Sequence, residues 1–118
     1  MEKRLLIVDD NELIRHLLKH SLFFPECTTV TASNGTEALK LLNQEKYDII
    51  ISDYAMPGMN GVELARCIKQ NHPSSTIIMV TGESNSDILS SNDIEFHFRK
   101  PLNLKKIKNV IQELLFNQ

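Results

Sequence analysis

Three short apolar runs punctuate the chain: Leu5-Leu6-Ile7-Val8, Ile49-Ile50-Ile51 and Ile77-Ile78-Met79-Val80. None alternates with polar residues, so each predicts a strand buried on both faces, as in a parallel sheet. Thr28 to Ala32 predicts a weaker strand. Glu95-Phe96-His97-Phe98-Arg99 alternates, which predicts a half-exposed edge strand. Between the runs lie stripes of helical period. Leu13, Ile14, Leu17, Leu18 and Leu22 predict a first helix with all five residues on one face. Ala38, Leu39 and Leu42 predict a second after an Asn34-Gly35 turn, and Leu64, Ala65 and Ile68 a third. Leu104, Ile107, Val110, Ile111, Leu114 and Leu115 predict the last, with Asn103 as its N-cap. Ser84 to Asn92 is poor helix material. Six of its nine residues are Ser or Asn, which compete for backbone hydrogen bonds, so a short or frayed helix is expected there.

The alternation reads as (βα)5, an α/β doubly wound parallel sheet with helices on both faces. A length of 118 residues suits one domain spanning residues 1–118. The net charge of -2 gives no general attraction to nucleic acid or an anionic membrane. Cys27 and Cys67 form no CxxC pair, and a reduced, cytoplasmic setting is the simplest expectation. No apolar run approaches the roughly 18 residues of a spanning helix. The N-terminal MEKR leads into too short an apolar run for a secretory leader.

In this architecture ligands bind beyond the carboxyl ends of the strands. The first strand ends in Asp9-Asp10, the third in Asp53, the fourth in Thr81 and the fifth in Lys100. Taken singly, each has a structural explanation: helix capping for the acidic pair, turn formation for Asp53, a strand exit for Thr81, a solvated cation for Lys100. Together they do not. Three carboxylates at one sheet edge repel unless a counter-charge is present. A hard cation such as Mg2+ would relieve that repulsion, since it takes carboxylate, water and phosphate oxygens. A carboxylate can also act as nucleophile and form an aspartyl phosphate. A lysine and a threonine hydroxyl then supply a point charge and a directional hydrogen bond.

Leu5 to Asp10 (LLIVDD), Asp48 to Gly61 (DIIISDYAMPGMNG), Ile77 to Gly82 (IIMVTG) and Phe98 to Pro101 (FRKP) in this order resemble the receiver domain of two-component response regulators. The resemblance covers essentially the whole chain. It implies a flavodoxin-like sheet in strand order 2-1-3-4-5, to which the composition of Ser84 to Asn92 adds a short fourth helix. It implies Asp53 as phosphoacceptor, with Asp9, Asp10, the Asp53 carboxylate and the Ala55 backbone carbonyl holding Mg2+. Thr81 and Lys100 would bind the phosphoryl group, and a cis peptide before Pro101 would aim the lysine. The implied donor is a sensor histidine kinase or a histidine phosphotransfer protein. The implied output is a downstream protein target or an effector domain lying outside this chain. The domain would promote its own phosphorylation and dephosphorylation without being a turnover enzyme.

Two places depart from the family pattern. The interval from Thr81 to Lys100 is short by roughly one helical turn, and Ser91-Asn92-Asp93 replaces the usual Gly-Ala step. His97 stands where the family often has a switch Tyr or Phe. It reads either as that switch residue or as a solvated edge histidine with Phe96 and Phe98 packing inward. His16 and His20, spaced four apart after Glu12, read as the solvated side of the first helix. Arg99 to Lys108 is locally basic but carries no nucleic-acid recognition motif, so direct nucleic-acid binding is not expected. A degenerate receiver acting as a phosphorylation-independent interaction module is the competing reading. An Asp-nucleophile phosphatase fits poorly, because Ala55 stands where a second acid would be needed.

Overall fold

The computed structural model describes residues 2–83 and 85–117. The elements run β1 (Lys3–Val8), α1 (Glu12–Ser21), β2 (Cys27–Ala32), α2 (Gly35–Gln44), β3 (Ile49–Asp53), α3 (Gly61–Asn71), β4 (Thr76–Thr81), α4 (Ser86–Leu89), β5 (Phe96–Arg99) and α5 (Leu104–Phe116). The sheet is ordered β2-β1-β3-β4-β5 and every pairing is parallel. This is the expected doubly wound arrangement, and the fourth helix is indeed short.

The continuous apolar runs are the three central strands. Each side chain alternates to an opposite face, and both faces are covered by helices, so no position can be polar at low cost. Leu6, Val8, Ile50, Ile77 and Met79 point into one core with Ala38, Leu42, Leu64, Ala65, Ile68 and Ile88. Leu5, Ile7, Ile49, Ile51, Ile78 and Val80 point into the other with Leu18, Leu22, Ile107, Ile111 and Leu115. Each fully buried Leu or Ile contributes about 1.5–3 kcal/mol of transfer free energy.

Asparagines start the helices. Asn11, Asn34, Asn60, Asn85 and Asn103 each accept a hydrogen bond from a first-turn backbone N–H. Asn60 and Glu63 complete a reciprocal capping box on α3. Asn34 thus caps α2, and Gly35 is the first residue of that helix.

Three side chains differ from the sequence expectation. Leu13 and Leu17 are exposed, at 78% and 48%. One stripe of α1, through Ile14, Leu18 and Leu22, suffices to meet the sheet. Leu13 and Leu17 precede that stripe by one residue, about 100° around the helix, and so miss it. Phe98 does pack inward, but Phe96 is 36% exposed. The four-residue α4 offers little surface beside it.

Candidate functional site

β3 sets the position of Asp53. Its neighbours Ile49, Ile50 and Ile51 are buried and hydrogen-bonded between β1 and β4, with Asp53 opposite Val80. The strand is held from both sides as far as Ser52, and Asp53 itself is paired on the β4 side and only 7% exposed. Past it, the Tyr54 N–H donates to the Val80 carbonyl at 2.8 Å. The chain then turns at Pro57-Gly58, where Gly58 has φ of 80°, a conformation side chains other than glycine rarely adopt. The Gly61 N–H closes the loop by donating to the Tyr54 carbonyl at 2.8 Å. A Cβ at Gly61 would lie 2.8 Å from the Asp53 carbonyl oxygen, so α3 starts directly against the end of β3.

β1 delivers the acidic pair. Asp9 is 3% exposed; its N–H donates to the Ala32 carbonyl at 3.1 Å and its carboxylate accepts from the Asn11 N–H at 2.9 Å. Arg15, one turn into α1, donates to the Asp9 carbonyl at 2.8 Å. Asp10 is exposed. One oxygen from each of Asp9, Asp10 and Asp53 lies within 4.8 Å of the others. At that separation two buried carboxylates repel by roughly 3 kcal/mol in an effective dielectric near 20. Both buried carboxyls are pushed above the ordinary aspartate range, chiefly by burial. Proximity to Asp53 adds to the effect at Asp9, and proximity to Asp10 adds to it at Asp53; Lys100 opposes it at both. An all-oxygen donor set, partly buried and short of positive charge, fits a hard divalent cation such as Mg2+.

Lys100 provides the cation that the chain itself contains. Its Nζ lies 3.3 Å from Asp53 Oδ1, while its backbone N–H donates to the Thr81 carbonyl at 2.8 Å. The Lys100–Pro101 peptide is cis. Thr81 is 7% exposed, and its hydroxyl is engaged with its own loop. It donates to the Glu83 carbonyl at 3.1 Å and accepts from the Glu83 N–H at 3.3 Å. Ala55 is exposed on the loop leaving β3. His97 is exposed and pairs in register with Met79. It lines a cavity of about 50 Å3 with Thr81, Glu83, Ile88, Leu89 and Arg99, and so shares a wall with the threonine rather than with Asp53. An open cleft of about 670 Å3 borders the acidic group on the α2 side, lined by Asp10, Asn34, Lys40, Pro57 and Met59 among others.

Sequence reasoning gathered the strand-end residues but not their supports. Arg15 was hidden on an amphipathic helix, although a lone arginine six residues after Asp9 was a usable signal. Gly61 carried no sequence signal that α3 starts directly against the end of β3. The approach of the Tyr54 hydroxyl to the Asp87 carboxylate, 3.5 Å across from α4, had no sequence signal at all.

The chain belongs to the response regulator receiver domain family, whose model matches residues 5–112. It is 40% identical over 81 residues to the DNA-binding transcriptional regulator NtrC of Escherichia coli (strain K12), which covers 69% of this chain and 17% of that protein. The chain thus spans under a fifth of the length of that relative. It is 29% identical to sporulation initiation phosphotransferase F of Bacillus subtilis (strain 168), with 98% of this chain and 95% of that one covered. Among solved structures, the response regulator protein TrrA of Thermotoga maritima, in complex with Mg2+-BeF, matches with a TM-score of 0.85 and 39% identity. That match covers 96% of this chain and 99% of that one. Receiver domains are signalling modules of two-component systems rather than turnover enzymes. They interact with histidine kinases or phosphotransfer proteins and generally bind Mg2+ at an acidic pocket. Among the described residues no helix is long and apolar enough to cross a membrane.

Proposed function

We propose that this chain is an active phosphoacceptor: Asp53 takes a phosphoryl group from a phosphohistidine on a sensor kinase or phosphotransfer protein in the cytoplasm. The observation that carries the reading is the buried Asp53 carboxylate at the tip of β3, 3.3 Å from Lys100 and grouped with two further aspartates. A carboxylate so placed stands at the carboxyl edge of the sheet, where this architecture binds ligands, in contact with Lys100. One Asp53 oxygen forms the bond to phosphorus while the bond from phosphorus to the donor imidazole nitrogen breaks. The electron pair stays on that nitrogen, and an acyl phosphate remains on Asp53. Mg2+ held by Asp9, Asp10, Asp53 and the Ala55 carbonyl would neutralise charge on the transferring group.

The chain's own residues do the rest. Lys100 exchanges its contact with the carboxylate for one with the phosphoryl oxygens. Thr81 rotates its hydroxyl away from Glu83 to donate to the same oxygens. That rotation empties one wall of the cavity shared with His97, which gives the imidazole a route inward and couples the site to the α4–β5 surface. The cleft beside Asp10 admits the donor's imidazole.

The test is intact mass after incubation with Mg2+ and a small phosphodonor. A single phosphoryl adduct is expected, absent in Asp53→Asn and after chelation. No adduct with any donor would replace this reading with the phosphorylation-independent module. For His97, ring resonances that are identical with and without a phosphoryl mimic would remove it from the switch.

A further inference from the structure

The outer side of α1 carries two imidazoles that the acidic pocket does not use. His16 and His20 stand four residues apart, and their ring centroids lie 4.3 Å apart with an interplanar angle of 60°. Both residues are exposed. Among the described residues neither ring has a hydrogen-bond or ion-pair partner, so their ring nitrogens remain available to a ligand. The backbone beneath them is a regular ten-residue helix, capped by Asn11 and anchored by Leu18 and Leu22.

Residues four apart on a helix have Cβ atoms about 5–6 Å apart. Two imidazole nitrogens bound at about 2.0–2.1 Å to one tetrahedral ion stand roughly 3.4 Å from each other. Rings already in contact reach that separation by side-chain rotation alone. Imidazole suits Zn2+, Ni2+ and Cu2+, whereas Mg2+ keeps to oxygen ligands, so the two kinds of ion sort to different places on this chain.

We propose that His16 and His20 chelate one borderline divalent transition ion, Zn2+ in the first instance, on the outer face of α1. Water fills the remaining coordination positions, so the ion exchanges freely. Its charge sits toward the carboxyl end of the helix, where the helix dipole favours a cation. Glu12, one turn before His16, adds a carboxylate on the same stripe, and Lys19 is the adjacent like charge. Bound metal would place a hydrated charge beside the exposed Leu13 and Leu17, changing the character of a helix face next to the acidic loop.

The experiment titrates the metal-free 118-residue chain with ZnCl2 in excess Mg2+. Calorimetry is expected to give one Zn2+ per chain. The ring resonances of His16 and His20 should shift while those of His72 and His97 stay in place. His16→Ala and His20→Ala should each weaken binding about tenfold or more, because one imidazole no longer chelates. Asp53→Asn should bind as the parent does. His16→Gln, which keeps a polar helix face, should lose binding equally and guards against a folding defect. Undiminished binding in the histidine variants would assign the ion to Cys27, Cys67 or the acidic pocket and overturn the proposal, as would the absence of any saturable binding.

Discussion

Gly61→Ala probes the link between core packing and the Asp53 site. An added Cβ would lie 2.4 Å from Met79 Sδ, 2.8 Å from the Asp53 carbonyl oxygen and 2.9 Å from the Tyr54 Cα. The thioether can swing aside, though Met79 is fully buried and has little free volume to enter. The two backbone atoms cannot, so the end of β3 or the start of α3 must retreat from 2.8 Å toward the 3.4 Å of an ordinary contact. Overpacking of this kind costs about 1–3 kcal/mol. Alanine's better helix propensity offsets at most about 1 kcal/mol of that. The expected net loss is roughly 1–2 kcal/mol, read from the urea midpoint at unchanged slope. The shift also moves Asp53 relative to Lys100, so adduct formation should slow as well. Gly58→Ala is the control. Nothing lies within 4 Å of its Cβ, but its φ of 80° makes alanine costly, by about 1–2 kcal/mol. It should lose stability while phosphorylating normally. A Gly61→Ala protein with parent stability and parent phosphorylation rate would refute the packing argument.

The remaining predictions concern charge. Asp9 and Asp53 both have folded-state pKa values raised above the unfolded ones, chiefly by burial. Their contribution to stability is therefore fully present in acid, below the unfolded values, and is lost as pH rises through the raised ones. Metal-free protein should unfold at lower urea at neutral than at mildly acidic pH, and Asp53→Asn should narrow the difference; parallel pH profiles would contradict this. Lys100→Met removes the charge that opposes the rise at Asp53, so the Asp53 carboxyl should titrate at still higher pH in carbon-detected NMR. An unchanged titration would mean the 3.3 Å contact is electrostatically idle. Lys105 lies in the first turn of α5, which contains no acidic residue. Lys105→Glu should stabilise by about 0.3–1 kcal/mol through the helix dipole, and a lower urea midpoint would count against that account.

Much of this molecule was legible because its strands are buried on both faces. Ile49-Ile50-Ile51 can only be a central strand, since no other short element hides three consecutive isoleucines. Asp53 after them was legible for the opposite reason: a charge at the tip of such a strand is too costly to be incidental. The α1 stripe was misread because local periodicity records which residues are apolar, not how wide a contact the sheet offers. Leu13 and Leu17 fit the period and still face solvent. Phe96 stays 36% exposed because its cover depends on how far α4 extends, and alternation within β5 carries no record of that.

Local sequence, through apolar runs, asparagine caps and turn glycines, determined the order and kind of the elements and which residues sit at strand ends. Those features act over a few residues and need no partner. Only the tertiary structure decided that Asp9, Asp10 and Asp53 converge within 4.8 Å, that Lys100 reaches Asp53 from a strand two places away, and that Thr81 rests on Glu83. Those distances depend on strand order and register, which arise from long-range pairing between segments that carry no mark of each other in the chain.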